Sequence, residues 1–291
     1  MRRILFIAIL IISLYDVSAQ IKIESVGPPQ PVKLIEKEIY DTAHVTVFYD
    51  YGCKDDVISS VPTKRYSEVA LLIGEKYVGT MDWRGYLCDS IQDDYSRNNR
   101  GSFEEFFNKT FNDERYRSAY RYPLVVNLKT QEATLKLSTF SLYYRYKQQL
   151  PNIEWKLENE EKKIKGIRCL KATCRFGGRD WTAWYAPEYA MPYGPYLFNG
   201  LPGLIMQVVD KKKNFAFKFK GIERNVQGRI IYLQRINSEI ETTREKARNG
   251  IKNFSKDPMK AMIEDGAVKV PKGSPLGGIS RSLYYNPIEL E

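Results

Sequence analysis

Few side chains in this 291-residue sequence have the types and spacing that catalysis requires. The single histidine, His44, lies in an alternating run typical of a strand, and no Gly-x-Ser-x-Gly motif accompanies it. The adjacent acids that begin at Asp55 and Asp93 lie in polar stretches, where carboxylates are usually solvated. The glycine pair before Arg179 is too short to hold a phosphate, since no helical pattern follows it. The sequence therefore predicts no catalytic residue and no enzyme.

The four cysteines do not form a metal-binding pattern. There is no Cys-x-x-Cys motif and only one histidine, so the sequence predicts neither a metal site nor a cofactor. Cys169 and Cys174 are five residues apart, so in a regular strand they face opposite ways and cannot bond to each other. A disulfide between Cys53 and Cys88 is predicted for an oxidising compartment; the alternative is four thiols that behave as small buried apolar side chains.

Basic residues exceed acidic ones, 45 to 35, which gives a formal net charge of +10. No block of five like charges and no nucleic-acid-binding motif occurs, so the sequence argues against a nucleic-acid partner. A diffuse positive surface suits binding to an anionic membrane face somewhat better than binding to nucleic acid. A requirement for solubility explains the positive charge equally well.

The first 19 residues have the pattern of a secretory signal peptide. Arg2 and Arg3 precede an apolar run over 4–14, and small residues ending at Ala19 predict cleavage before Gln20. A membrane anchor is the alternative, but the apolar run is shorter than the roughly 20 residues that span a bilayer. We therefore predict export to the periplasm and a mature chain, 20–291, that forms a single domain without a transmembrane segment.

Alternating apolar and polar residues predict a mainly β protein of α+β type. In the second predicted strand, Tyr66, Val69, Leu71 and Ile73 are expected to face inward. Two-residue and four-residue turns, at 177–178 and 211–214, predict hairpins, and helical spacing predicts helices over 83–95, 239–254 and from Pro258. The predicted strands cover residues 43–51, 64–73, 122–128, 133–144, 155–161, 164–176, 179–185, 204–209, 215–222 and 229–236.

A loop over 186–203 combines turn residues with apolar ones and leads into the strand at 204–209. One interpretation is structural: glycines supply positive φ, a proline fixes the bend and apolar residues fill the core. The other is a rigid lip for peptide, lipid or protein contact, with Tyr185, Tyr193, Tyr196 and Phe198 as exposed aromatic residues. The sequence leaves both open.

The hexapeptide that starts at Gly200 and ends at Ile205 resembles the motif that names the GLPGLI family, envelope proteins of Bacteroidota with no established activity. The preceding tryptophan strand and proline loop, Gly166, Cys169 and the closing run 286–290 are similar to the family pattern as well. Cys174 departs from that pattern. The strand–loop–strand arrangement also looks like the curved half-barrels of bacterial lipoprotein carriers, as an analogy of fold only.

These observations and the resemblance lead to three hypotheses of function. The first is a non-enzymatic periplasmic binding or accessory protein that serves outer-membrane traffic with an envelope protein, peptide or lipid as its partner. The second is a carrier that holds an acyl chain in the concave face of a single, strongly curved, half-barrel-like antiparallel sheet. The third, an enzyme, lacks a convergent acid, base and nucleophile. The residues assigned to the motif and the binding lip are Trp184, Tyr185, Pro187, Tyr193, Gly194, Pro195, Tyr196, Phe198, Gly200, Leu201, Pro202, Gly203, Leu204 and Ile205.

Overall fold

Most of the alternating segments form strands, and the described chain is mainly β. The computed structural model describes residues 28–54, 64–111, 113, 118–139, 142–224, 228–264 and 282–291. The predicted signal peptide, residues 1–19, lies outside these ranges, as do the acids that begin at Asp55. In chain order the described strands are β1 (Lys37–Thr42), β2 (Val45–Cys53), β3 (Arg65–Ile73), β4 (Tyr77–Asp82), β5 (Leu124–Asn127), β6 (Glu132–Ser138), β7 (Tyr143–Gln149), β8 (Lys156–Ile164), β9 (Ile167–Phe176), β10 (Arg179–Ala186), β11 (Leu204–Asp210), β12 (Phe215–Arg224), β13 (Ile230–Gln234) and β14 (Glu239–Glu241).

Twelve of these strands form one sheet in the order β14-β7-β6-β5-β4-β3-β2-β12-β11-β10-β9-β8. Neighbouring strands are antiparallel except β14 and β7, which are parallel. The predicted half-barrel is wrong in its details, because the described strands form no closed or strongly curled sheet. In addition, β1 and β13 pair as a separate ribbon. The ribbon packs on the main sheet rather than extending it, with Ile231 directly against Gly79.

Strand alternation divides the core between the two faces of the sheet. On β2, Val47, Tyr49 and Tyr51 point into the first core, whereas Phe48 points into the second. The first core is the larger, and the loop at 187–203, the helix at 244–256 and the C-terminal segment cover it. The second core lies beneath the ribbon and the helix at 83–97.

Four helices occur in the described residues: α1 (Trp83–Arg97), α2 (Phe103–Phe111), α3 (Arg244–Lys256) and α4 (Pro258–Glu264). As the sequence predicts, α4 begins with a proline after Asp257, whose Oδ1 accepts from the backbone N of Lys260 at 3.0 Å. None of the described helices is long and apolar enough to cross a membrane.

Helix α1 buries acids on its inner face. Leu87, part of the apolar spacing that predicts this helix, is 38% exposed, whereas Asp89 and Asp93 are buried. Asp89 accepts a hydrogen bond from Tyr232 Oη at 2.7 Å, and Asp93 forms an ion pair with Lys37. Burial raises the pKa of Asp89. These contacts attach α1 to the ribbon. Most surface helices are attached by an apolar stripe, whereas α1 is attached in part by buried polar groups.

Several predictions of individual elements were wrong. Tyr66 is 64% exposed rather than inward, because it has the opposite strand parity to Val69, Leu71 and Ile73. Strand β4 and helix α2 were not predicted, and the segment predicted as one strand over 133–144 contains β6 and the start of β7. The predicted helix at 239–254 begins late, since its first three residues pair with β7 as β14.

The predicted disulfide between Cys53 and Cys88 is not formed, and all four cysteines are thiols. Cys53 lies in the first core, whereas Cys88 lies on α1, which covers the opposite face of the sheet. The sheet itself therefore separates the two sulfur atoms. Burial raises the pKa of the Cys88 thiol to about 11, so it is protonated at neutral pH.

The two edge strands of the main sheet differ from its buried central strands, because one is rich in exposed charged residues and the other is short. Strand β8 is one edge; its exposed residues include Lys156, Glu160 and Lys163, and its pairing with β9 is irregular between Leu157 and Glu161. The other edge, β14, is three residues long.

Candidate functional site

The loop at residues 187–203, here called the motif loop, folds back on the first core. Its two arms are joined by a backbone hydrogen bond from Gly200 N to Pro192 O at 3.1 Å, and Ile205 N of β11 donates to Tyr193 O at 3.0 Å. Tyr193 also forms a β-bridge with Asn199. The motif loop is thus a closed unit that packs on the sheet.

The hexapeptide is mainly a core element. Leu201, Leu204 and Ile205 are at most 1% exposed, and the carbonyl of Ile205 accepts a hydrogen bond from the buried Tyr49 hydroxyl at 2.8 Å. Gly203 has a φ of +149°, and a Cβ there would lie 2.3 Å from the carbonyl oxygen of Ala186. Glycine is required here by both backbone angle and space, which supports the structural interpretation.

The predicted exposed aromatic lip is largely wrong. Tyr196 and Phe198 are buried because the motif loop turns their side chains into the first core, and Tyr185 is buried because it holds an inward position on β10. Phe198 packs edge to face on the ring of Trp181, with ring centroids 4.7 Å apart. Tyr193 is half-buried.

The remaining residues of the predicted lip do not form one surface. Trp184 is half-buried and has the opposite strand parity to Trp181 and Tyr185, and Lys162 Nζ lies 4.2 Å from its ring centroid. Pro187, Gly200 and Pro202 are exposed, whereas Gly194 and Pro195 are buried. The structure thus brings the hexapeptide and Tyr193 together but separates Trp184 from them.

A buried arginine, which the sequence analysis did not single out, holds the C-terminal segment (residues 286–291) against the sheet. Arg179 Nε donates to Ile288 O at 3.0 Å, and its Nη2 donates to Asn286 Oδ1 and Pro287 O, both at 2.6 Å. On its other side Arg179 forms an ion pair with Asp210 at 3.5 Å, and both side chains are at most 4% exposed. One cation therefore links β10, β11 and the end of the chain.

Glu289 links the C-terminal segment to the motif loop. Its carboxylate accepts a hydrogen bond from Tyr196 Oη and forms an ion pair with Arg244, and its backbone carbonyl accepts from Arg248 Nη2 at 2.8 Å. Burial and the nearby carboxylate raise the pKa of Tyr196. Tyr196 has a φ of +58°, unusual for a residue with a side chain, so the surrounding contacts must fix this conformation.

The glycine hairpin between β9 and β10 makes room for the C-terminal segment. Gly177 has a φ of +56°, and its backbone carbonyl accepts from Leu290 N at 2.7 Å. A Cβ on Gly177 would lie 2.6 Å from Cγ of Glu289. The two-glycine turn therefore has two roles. It closes the hairpin between β9 and β10, and it leaves room for the C-terminal segment to pack against the turn.

Replacing Gly177 by asparagine separates these two roles. Asparagine tolerates a positive φ, so the turn itself accepts it, but its Cβ meets Glu289. We expect Gly177→Asn to lower the free energy of unfolding by about 1–3 kcal/mol through overpacking. The control is Gly166→Asn, at a φ of +83° with nothing within 4 Å of a Cβ, which should change it by less than about 0.5 kcal/mol. Equal losses in urea unfolding would contradict the second role of Gly177.

Strand parity provides a signal that could have identified the arginine contact. Arg179 has the same parity as Trp181 and Ala183, which face inward, and Asp210 has the same parity as Met206 and Val208. A charged residue at an inward position requires an opposite charge. Two such positions on strands that are consecutive in the chain therefore indicate a buried ion pair.

A cleft of about 280 Å³, lined by both apolar and polar groups, opens beneath the motif loop. Val78 and Val126 of the sheet form its inner wall, Leu128 and Leu150 lie at its side, and Tyr193 borders it from the loop. Val78 and Val126 are buried, while Leu128, Leu150 and Tyr193 are half-exposed, so the cleft runs from the surface toward the first core. The other residues that line it are Gln131, Pro192, Gly194, Tyr196, Leu197, Phe198, Asn199 and Gly200.

A cavity of about 370 Å³ lies between α1, β6 and β13, and its lining includes charged side chains. The carboxylates that line this cavity already have hydrogen-bond or ion-pair partners within the protein. Asp82 accepts from two backbone N–H groups, Asp89 from the ribbon, and Glu239 pairs with Lys136 at 2.6 Å. Among the described residues, no group of three histidine, cysteine, aspartate or glutamate side chains is placed to hold a metal ion.

Comparison with known proteins does not identify a relative. No family model and no curated protein matches the chain. Two solved structures of PNGF-II, in space groups P21 and C2, are similar to it with TM-scores of 0.44 and 0.43 and sequence identities of 11% and 12%. The similarity covers 74% and 72% of this chain but only 34% and 33% of those chains, so this chain spans about a third of their length. A similarity this low assigns no function.

Proposed function

We propose that this chain is a non-enzymatic binding protein of the cell envelope, and that it binds an apolar group in the cleft beneath the motif loop. The observation that supports this proposal is the 280 Å³ opening with walls of valine, leucine and tyrosine. Small-molecule sites are typically concave, mostly apolar and about 300–1,000 Å³ in volume. The cleft lies just below that range, which suits the end of one acyl chain or one large apolar side chain.

The chemistry of the cleft supports binding rather than catalysis. The titratable groups among its lining residues are the hydroxyls of Tyr193 and Tyr196. Burial raises the pKa of both, so both are protonated at neutral pH. The Tyr196 hydroxyl is already bonded to Glu289. Neither group is therefore suited to act as a base, since a general base needs a pKa near the working pH.

The arrangement of the aromatic residues supports a protein that carries an apolar group in the cleft, rather than in the concave face of a half-barrel, over an accessory protein with a flat docking patch. Such a patch requires exposed aromatic rings on one face, and three of the four predicted rings are buried. The cleft accepts the apolar part of a ligand, and the Tyr193 hydroxyl at the loop offers a hydrogen bond to a polar end. The periplasmic location in this proposal rests on the leader pattern and on the GLPGLI resemblance.

Filling the cleft is the direct test. Leu128→Trp places a larger ring on the half-exposed side wall, and we expect it to weaken binding of dansyl-undecanoic acid at least about tenfold, because two apolar groups cannot share the space. The control, Leu157→Trp, makes the same exchange at a 56% exposed position on β8 and should leave binding unchanged. Fluorescence titration of both variants, with thermal unfolding to confirm folding, measures the effect. Equal affinity for both variants, or no binding by the unaltered chain, would refute the proposed site.

A further inference from the structure

The cavity between α1, β6 and β13, here called the α1 cavity, is separate from the cleft beneath the motif loop. No described residue lines both spaces, and the α1 cavity borders the second core through Met81, Tyr232 and Leu233. Its volume of about 370 Å³ falls within the range of small-molecule sites. The exposed Ser118 also lines it, so the α1 cavity reaches the surface.

The polar groups of the α1 cavity are held in fixed positions by other parts of its own wall. Asp89 accepts hydrogen bonds from Tyr232 Oη and from Gln234 Nε2, each at 2.7 Å. Lys136 donates to the backbone carbonyl of Gln234 and forms an ion pair with Glu239 at 2.6 Å. A binding site that is already ordered loses little conformational freedom when a ligand enters.

The charges of this wall favour a neutral ligand. The side chains of Lys136 and Glu239 are 8% and 9% exposed and neutralise each other. Arg121, another cation of the wall, also has an interaction partner within the protein. Burial raises the pKa of both Asp82 and Asp89, so burial opposes the charged form of each carboxyl group. A charged ligand would therefore lose its hydration without gaining a partner of opposite charge that is not already paired.

Tyrosine rings give the α1 cavity apolar surfaces among these polar groups. The ring of Tyr86 is stacked on that of Trp83, with centroids 4.9 Å apart, and contacts the ring of Tyr232 at 5.5 Å. Tyr143 of β7 is half-exposed and lines the cavity from a different element. A tyrosine offers an apolar ring and a polar hydroxyl, and the carboxylates nearby accept hydrogen bonds. This combination suits a molecule that has C–H faces and hydroxyl edges, whereas an acyl chain would leave the polar groups without water.

From these observations we infer that the α1 cavity is a second binding site and that its ligand is a neutral monosaccharide. The sugar hydroxyls donate to the carboxylates of Asp82 and Asp89 and accept from the hydroxyl groups of the wall. The C–H face of the sugar ring packs on the ring of Tyr143. This inference is independent of the cleft beneath the motif loop.

The first experiment titrates the full chain with neutral sugars by isothermal calorimetry. The probes are D-glucose, D-galactose, D-mannose and N-acetyl-D-glucosamine, and we expect saturable binding of at least one of them. The 6-phosphate of the sugar that binds should bind at least about tenfold more weakly, because its charge has no unpaired partner in the wall. If no sugar binds, the α1 cavity holds only water and the inference is wrong. If the phosphorylated sugar binds equally or more tightly, the neutral class of ligand is refuted.

The second experiment locates the sugar with two variants. Tyr143→Ala removes a ring from the wall and should weaken binding at least about tenfold. Its control, Tyr66→Ala, makes the same exchange at a 64% exposed position on β3 and should leave the affinity unchanged. Ser138→Trp fills the cavity from β6 and should abolish binding, whereas Leu157→Trp on β8 should not. Thermal unfolding confirms that each variant is folded. Unchanged affinity in folded Tyr143→Ala or Ser138→Trp would place the sugar elsewhere and overturn the inference.

A third measurement distinguishes the α1 cavity from the cleft beneath the motif loop. Saturation with the sugar should leave the titration with dansyl-undecanoic acid unchanged, and Leu128→Trp should leave the affinity for the sugar unchanged, because the two spaces share no described residue. Loss of sugar binding in Leu128→Trp would show that the sugar occupies the cleft, and the inference would be wrong. Sugar binding without binding of dansyl-undecanoic acid would support the α1 cavity and refute only the function proposed for the cleft.

Discussion

Replacing Gly203 by alanine should lower the free energy of unfolding by about 3–5 kcal/mol, a large part of the stability of a typical domain. Two effects add. The φ of +149° is unfavourable for any residue with a side chain, and the new Cβ would lie 2.3 Å from a backbone oxygen of Ala186, which cannot rotate away as a side chain can. Urea unfolding followed by circular dichroism measures the change.

Gly200→Ala is the matched control. Gly200 has a φ of +87° in the same hexapeptide, but a Cβ there meets nothing within 4 Å. Gly200→Ala should therefore lower the free energy of unfolding only through the unfavourable backbone angle, by about 1–2 kcal/mol. If Gly200→Ala and Gly203→Ala are equally destabilising, the backbone angle rather than contact with Ala186 sets the cost.

Replacing Arg179 by methionine should lower the free energy of unfolding by about 3–5 kcal/mol, because it leaves Asp210 as an uncompensated buried charge. The variant also loses all three hydrogen bonds from Arg179 to the C-terminal segment. Methionine keeps the length of the side chain, so the loss reports charge and hydrogen bonding more than volume. Thermal and urea unfolding give the value.

The control for Arg179→Met lies on the neighbouring strand. Arg175 pairs with Asp180 at 3.4 Å, but these side chains are 67% and 54% exposed. Pairs of this kind contribute about 0–1 kcal/mol, so Arg175→Met should be nearly neutral. A similar loss for both variants would show that burial is not what makes the Arg179 contacts strong.

Much of the strand content could be predicted because the signals are local. The hairpin at Gly177 and the turn before Phe215 follow from two short runs of alternating residues and the turn residues between them. The position of β1 and β13 on a face of the main sheet depends on contacts between distant residues, such as Ile231 on Gly79, and local alternation does not report them.

The candidate site was harder to predict for a related reason. The sequence identifies the motif loop as unusual but does not say which way its aromatic side chains point. Tyr196 and Phe198 are both buried. Their burial could not be predicted from alternation, because the alternation rule applies to strands and not to loops. The cleft arises only when the loop is placed over Val78 and Val126, which belong to strands more than sixty residues earlier in the chain.

The character of the edge strands limits how this protein assembles with others. An added strand at β8 would have to lie along a row of lysine and glutamate side chains, and the irregular pairing near Leu157 twists that edge away from a flat partner. At the other edge β14 offers only three residues for pairing. Backbone pairing is therefore disfavoured at both ends of the sheet. Two copies that meet at high concentration are then protected from stacking into an endless sheet, and fibre formation is suppressed even though the chain is mainly β.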